Sequence, residues 1–353
     1  MRVVAPSFGL RRLHALIVAC ACASCANSSA TGCPDGTCSG MPPPRTGPGS
    51  AACSSKASVL PADPQESGDP QAGRWALLNG SYMSCGIPLT LWQNGLLGPI
   101  VQGALGTDGE VGLAGREGDN AALPSSLVSF TTTSGAKVVN LSCLKCHGAR
   151  FDGEYVIGLG NTTADFTNGI TNNSLTAQLP DGTFDLLGLN PAERASLEQM
   201  LRVGRQIGPG TAMRTVGNNP AEALSGVLFT HHDQKTLAWS DRALVSLDLH
   251  DENGNLINDP ILTSDPPPWW RVKKKNALFY NGMSRGQHRG TEEIATLVCV
   301  TDLDEAKRVD AIFRDIQAYI GTISAPTWPS SAATRRRSRP GTRARSTPRR
   351  RRR

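Results

Sequence analysis

Two stretches of the chain place apolar residues three and four positions apart, as in an amphipathic helix. The first runs from Asn190 to Gly208. Asn190 followed three residues later by Glu193 has the pattern of a capping box, and the proline between them suits the first helical position. The apolar stripe is formed by Leu197, Met200 and Leu201. We therefore predict a core-facing helix that begins after Asn190 and ends at Gly208.

The second stretch covers residues 301–323 and begins with a cluster of acidic residues. Acidic side chains stabilise the first turn of a helix, and glycine commonly follows the last turn. The apolar stripe is formed by Val309, Ile312, Phe313, Ile316 and Ile320. The pattern predicts a second core-facing helix, which Gly321 ends.

The rest of the segment from residue 73 to residue 329 is rich in glycine and proline. The whole chain has 37 Gly and 24 Pro, and only 5% of its residues are aromatic. Such a composition favours helices joined by long loops. We predict one mainly α domain over residues 73–329, with long Gly/Pro-rich loops and few short strands.

The N-terminal segment has the features of an export signal. Three arginines precede an apolar run from Leu13 to Ala26 that is too short to span a bilayer, so residues 1–26 are predicted to be a signal peptide. The letters IVAC before and including Cys20 resemble a bacterial lipobox, which would lipidate Cys20 and anchor the chain to a membrane. A plain cleavage site near ASCA competes with it. Both alternatives predict a periplasmic or extracellular protein, and the lipobox predicts an outer-membrane lipoprotein.

Residues 27–72 form a low-complexity segment of Ser, Gly, Pro, Ala and Cys, which we interpret as a linker. Cys33 and Cys38 flank a Pro-Asp-Gly turn and favour a local disulfide. The sequence leaves the pairing of the other exported cysteines open. These are Cys53, Cys85 and Cys299.

Residues 330–353 form an arginine-rich tail. Its last 19 residues include 11 Arg; without them 25 basic and 30 acidic residues remain, and the net charge changes from +6 to −5. A nucleic-acid-binding arm and a solvated disordered tail are two interpretations. We favour a third, a reading-frame shift in a GC-rich gene after Pro329, and expect no nucleic-acid partner for an exported protein.

The letters SCLKCHG at 142–148 carry the main candidate chemistry. Cys143, Cys146 and His147 form the Cys-x-x-Cys-His pattern that attaches haem c through two thioethers and ligates its iron with the histidine. A zinc site would need a second nearby pair of ligands, and the next cysteine is Cys299. A thiol-redox pair would need a following helix, whereas the next residues are Gly-rich. The motif therefore predicts haem c, with His147 as the proximal ligand.

The sixth iron ligand is open at this stage. The leading distal candidates are His231, His232 and Met213, with the adjacent histidines slightly favoured. Further candidates are His250, His288, Met200 and Met283. In DPPPWWRVKKK, the side chains of Trp269 and Trp270 could cover the edge of a haem, and Arg271 or one of the following lysines could pair with its propionates. A plain core Trp pair beside a solvated basic face is the alternative.

The order LSCLKCHG, VIGLGN, HHDQKTLAW, PPPWWRVKKKNALFYNG and DIQAYIGTISAPTWP resembles bacterial dihaem c-type cytochromes related to cytochrome c peroxidases and haem-dependent rubber oxygenases. The resemblance implies a cytochrome c-like haem domain and a second Cys-x-x-Cys-His shortly after a segment like APTWP. This chain has one such motif, and it departs from the family where the arginines begin.

Three functions follow from these features. We expect an exported cytochrome with one covalent haem that transfers electrons to or from a redox partner protein. The alternatives are a truncated haem peroxidase or oxygenase that uses a small-molecule oxidant, and a truncated product without function.

Overall fold

The computed structural model describes residues 62–105, 112–167, 187–246, 264–279, 282 and 284–327. Contacts along the chain divide it into residues 1–58 and residues 59–353, and the described residues all belong to the second unit. The signal segment with Cys20, the Cys33 and Cys38 pair and the arginine-rich tail lie outside the described residues, so the predictions about them stay predictions.

Helices and short antiparallel strands alternate along the described part of the chain. The helices are α1 (Pro70–Asn79), α2 (Leu89–Trp92), α3 (Gly98–Ala104), α4 (Leu144–His147), α5 (Pro191–Gly210), α6 (Ala221–His231), α7 (Arg289–Glu292) and α8 (Leu303–Thr322). Three 3-10 helices cover Gly118–Ala122, Trp269–Lys274 and Ile294–Val298. The strands are β1 (Ile87–Pro88), β2 (Leu127–Thr131), β3 (Lys137–Leu141), β4 (Gly148–Phe151), β5 (Glu154–Ile157), β6 (Ala277–Leu278) and β7 (Ser284–Arg285).

The longest helices agree with the apolar patterns. Asn190 and Glu193 form the predicted capping box of α5, in which each side chain accepts a hydrogen bond from the other residue's backbone N–H. Helix α5 continues two residues past Gly208, with Pro209 inside its last turn. Helix α8 buries the predicted stripe at Val309, Phe313, Ile316 and Ile320.

Helices α1 and α8 pack at very close range. Gly73 of α1 lies so near the backbone of α8 that a Cβ atom at this position would be 1.8 Å from the carbonyl oxygen of Asp315. The ring of Phe313, in α8, meets the ring of Tyr82, which follows α1, edge to face at a centroid distance of 5.8 Å. This helix pair forms one side of the hydrophobic core.

Residues 62–72 belong to this packed unit, although the sequence analysis assigns them to the linker. Asp69 caps α1 by accepting hydrogen bonds from the backbone N–H groups of residues 71 and 72. The side chain of Gln65 accepts a hydrogen bond from the backbone N–H of His288 at 2.8 Å and another from Gln317 Nε2 at 2.7 Å. Polar contacts between distant parts of the chain hold this segment, and apolar periodicity does not reveal them.

A three-stranded antiparallel sheet in the order β1-β3-β2 lies on the other side of the core. A disulfide joins Cys85, just before β1, to Cys299, just after the last 3-10 helix. Both cysteines are fully buried. The bond connects two segments that are 214 residues apart and bracket the Cys-x-x-Cys-His motif.

Candidate functional site

A cavity of about 610 Å³ lies between α4, α5, α8 and the 3-10 helix Trp269–Lys274. Its volume is in the range of cofactor pockets. Apolar side chains make up most of the wall, among them Leu141, Met200, Ile207, Trp269, Val272, Phe313, Ile316 and Ile320. All three functional residues of the Cys-x-x-Cys-His motif, Cys143, Cys146 and His147, also line it.

A single helical turn, α4, brings the three motif side chains to this cavity. The backbone N–H of His147 donates to the carbonyl oxygen of Cys143 at 3.0 Å. The loop that follows β5 then satisfies the two free carbonyls of the turn: Gly158 N–H donates to His147 O and Asn161 N–H to Cys146 O, both at 2.8 Å. The Gly-rich residues 156–161 therefore hold the Cys-x-x-Cys-His motif in place.

The two motif thiols are free and share the protected environment of the cavity. Burial raises the pKa of the Cys143 thiol to about 12 and that of the Cys146 thiol to about 11. The raised pKa values disfavour the thiolate that thiol-redox catalysis uses. Among the described residues, no three His, Cys, Asp or Glu side chains form a group that could hold a metal ion by themselves.

His147 has the properties of a neutral nitrogen ligand. Burial lowers its pKa to about 4, and the nearby backbone carbonyl of Pro267 offsets only part of this effect. Its Nδ1 atom is buried and has no hydrogen-bond partner. A buried ring nitrogen without a partner is energetically costly, and a metal bond would relieve that cost.

Trp269 is the predicted pocket residue that the structure brings to the motif. Its indole stacks on the imidazole of His147 with a centroid distance of 4.9 Å and an interplanar angle of 24°. Its backbone N–H donates to Gly158 O at 2.8 Å, so the same loop supports both rings. Trp270 and Arg271 do not line the cavity, and Arg271 is exposed.

Two lysines, Lys145 and Lys275, line the cavity, whereas Lys273 and Lys274, which are closer to the Trp pair in sequence, do not. Lys273 instead donates hydrogen bonds from Nζ to the carbonyl oxygens of Gly321 and Ile323 at the end of α8. The sequence analysis did not name Lys145 as a candidate partner of the propionates, although this residue lies between the two cysteines of the motif.

The leading distal candidates are not among the residues that line the cavity. His232 is buried with Nδ1 2.9 Å from Leu228 O and Nε2 3.3 Å from Val300 O, and its backbone partners explain its burial. His231 stacks on Trp239, with Nδ1 2.8 Å from Ser240 O. Met213 packs in a small cluster against which Cys146 of the motif lies.

Two methionines lie in the cavity wall instead. Met83 and Met200 both line it and are both buried. Met200 was one of the wider set of candidates, and Met83 was missed because no pattern marks it. His288 is buried but does not line the cavity. His250 and Met283 lie outside the described residues.

Comparisons with known proteins add no assignment. No protein-family model, no curated protein and no solved structure matches the chain. In the part of the chain that the structure describes, no helix is both long enough and apolar enough to cross a membrane. The resemblance to dihaem cytochromes, the cytochrome c-like fold and the exported location therefore stay predictions.

Proposed function

We propose that this chain is an exported c-type cytochrome that holds one haem covalently and transfers single electrons. The observation that carries the proposal is the convergence of Cys143, Cys146 and His147 on one mostly apolar cavity of about 610 Å³. The unpartnered, buried Nδ1 of His147 and the free state of both thiols fit the needs of the group.

Each residue of the motif has a distinct task in this proposal. The Cys143 and Cys146 thiols would hold haem through two thioether bonds, each formed by addition of S–H across one vinyl group with the hydrogen on the neighbouring vinyl carbon. His147 would offer a neutral ring nitrogen to the iron, and Trp269 fixes the plane of that ring by stacking. When bound, the haem supplies a one-electron redox centre.

The cavity wall supports the same function. Apolar side chains from α5 and α8 exclude water and lower the local dielectric constant. Lys145 and Lys275 supply positive charge that suits the propionates of a haem. The buried disulfide between Cys85 and Cys299 suits an oxidising compartment, in agreement with an exported protein.

Production of the full chain together with a cytochrome c maturation system tests the proposal. We expect haem that stays attached under denaturing conditions and gives the pyridine haemochrome spectrum of a thioether-linked haem. The Cys143→Ser, Cys146→Ser double variant should lose it. The matched control, Cys33→Ser with Cys38→Ser, removes two cysteines elsewhere and should keep it. Wild-type protein without covalent haem, or haem retained in the motif variant, would contradict the proposal.

A haem peroxidase or oxygenase is the second candidate, and one observation favours it. His231, His232 and Met213 are not among the residues that line the cavity, although the cluster of Met213 packs against Cys146. An open sixth position would let cyanide bind the ferric protein and shift its Soret band. A cytochrome with a strong sixth ligand, such as Met83 or Met200, would give a low-spin spectrum that cyanide leaves unchanged.

A further inference from the structure

An unpaired carboxyl group reaches the same cavity from the side of α7. Glu292 lines the cavity together with the neighbouring Thr291. Both carboxylate oxygens of Glu292 are buried and have no hydrogen-bond partner, whereas the hydroxyl of Thr291 is hydrogen-bonded to Ser284. A buried carboxyl without a partner is costly when ionised, and folded proteins keep such groups mainly where they have a task.

The arginine closest in sequence to Glu292 is paired with other carboxylates. Arg289, on the same short helix, pairs with Glu66 and Asp310, both at 2.6 Å. Glu293, the next residue, does not line the cavity and interacts with Arg289 and Asp310 instead. Glu292 therefore has no salt bridge among the described residues, although it is one residue away from a network of them.

Several titratable groups line the same cavity or belong to the neighbouring charged network. The cavity wall contributes Tyr82, Cys143, Lys145, Cys146, His147, Asp265 and Lys275. The network on helix α7, its N-cap, helix α8 and the segment before α1 consists of Asp63, Glu66, His288, Arg289, Glu293 and Asp310. Burial alone raises the pKa of Glu292 to about 7, because none of these groups offsets its desolvation.

We propose that Glu292 takes up one proton when the haem in this cavity is reduced, and releases it on oxidation. The proposal rests on the proposed function. A one-electron donor supplies the electron to the iron, and solvent supplies the proton to a carboxylate oxygen, so the net charge inside the cavity stays constant. The reason is electrostatic: reduction removes one positive charge from a region of low dielectric constant, and an ionised carboxyl in the same cavity then becomes less favourable.

Redox titrations of the haem-loaded protein between about pH 5 and about pH 9 test this coupling. The midpoint potential of the wild type should fall as the pH rises, by up to about 59 mV per pH unit for one proton per electron. In Glu292→Gln, a permanently neutral isostere, the fall should disappear. The two potentials should meet at low pH, where Glu292 is protonated, and the variant should be higher at high pH.

Glu293→Gln is the matched control, because it removes a neighbouring buried carboxyl that does not line the cavity. This variant should keep a pH-dependent potential. A flat wild-type profile, or a slope that survives in Glu292→Gln, would overturn the proposal and assign the coupling to other groups such as the propionates.

Infrared difference spectra of the wild type between its two redox states give a test that needs no variant. A protonated-carboxyl band that appears on reduction and shifts in heavy water is the expected result, and its absence would also overturn the proposal. Failure of the proposed function is distinct, since the wild type would then contain no covalent haem to titrate.

Discussion

The imidazole of His147 and the indole of Trp269 lie stacked, 4.9 Å apart and inclined by 24°. The two residues are more than a hundred positions apart in the chain, and one loop supports both, because Gly158 bonds to each backbone. The imidazole of His147 is thus oriented by a side chain from the second region that the sequence analysis singled out. A residue in that position should contribute to folding stability and, under the proposed function, to the orientation of the iron ligand.

Replacement of Trp269 by Ala should lower the free energy of unfolding by about 3–5 kcal/mol, as for other large aromatic side chains removed from a core. Trp269→Phe should keep the stacking and lose less. The control is Trp270→Ala, since Trp270 is partly exposed and does not line the cavity. Urea denaturation of the three variants measures the differences. Equal losses for Trp269→Ala and Trp270→Ala would argue against a central role for Trp269.

The Cys85–Cys299 disulfide should stabilise the protein by about 2–5 kcal/mol, because it closes a very long loop of the unfolded chain. A Cys85→Ser, Cys299→Ser variant should therefore unfold at a lower denaturant concentration. Wild-type protein in a strong reductant should behave in the same way. An unfolding midpoint that neither change moves would show that the bond contributes nothing to stability.

Stability should decrease as the pH rises through the neutral range. Burial raises the pKa of Glu292 to about 7 and that of Glu293 to about 8, from an ordinary value of 4.5. Through these two groups the folded state binds more protons than the unfolded state above about pH 5, so the stability present at low pH is lost as the pH passes through the two raised pKa values. Because the lowered pKa of His147 acts in the opposite direction below about pH 6.5, the decrease should be clearest above that pH. Denaturation at several pH values should show this slope, and Glu292→Gln with Glu293→Gln should reduce it.

The close approach of α1 and α8 predicts opposite effects for two glycine substitutions. Gly73→Ala would force a methyl group into the backbone at Asp315 and should destabilise the protein by about 1–3 kcal/mol. Gly321→Ala lies in α8 with no atom within 4 Å of the new methyl group, and should stabilise by roughly 0.5–1 kcal/mol because alanine favours a helix. Thermal melts of the two variants provide the comparison.

Local patterns were enough to predict the features that depend on local contacts. Residues three and four positions apart form the capping box and the apolar stripe of α5, and also the apolar stripe of α8. Both helices are present. The Cys-x-x-Cys-His spacing likewise places three side chains on one turn. Met83 and Glu292 join the cavity only through tertiary packing, so no short pattern could reveal them.

Long-range polar contacts explain why the first part of the predicted linker differs from its interpretation. The hydrogen bonds of Gln65 reach across more than 200 residues, which is why a segment with a linker-like composition belongs to the packed unit. The sequence analysis slightly favoured the histidine pair as distal ligands. A ring nitrogen of each residue lies within hydrogen-bond distance of a backbone carbonyl, which accounts for the burial of His232 without a metal.

The disulfide between Cys85 and Cys299 also determines which of the described cysteines stay free. Four cysteines lie in the described residues; two of them form this disulfide, and Cys143 and Cys146 are free. A bond from Cys85 or Cys299 to either motif cysteine would remove one of the two thiols that the proposed haem attachment needs. Under the proposed function, correct oxidation of Cys85 and Cys299 is therefore a condition for haem attachment at Cys143 and Cys146, and a folding catalyst that reshuffles disulfides should raise the yield of haem-loaded protein.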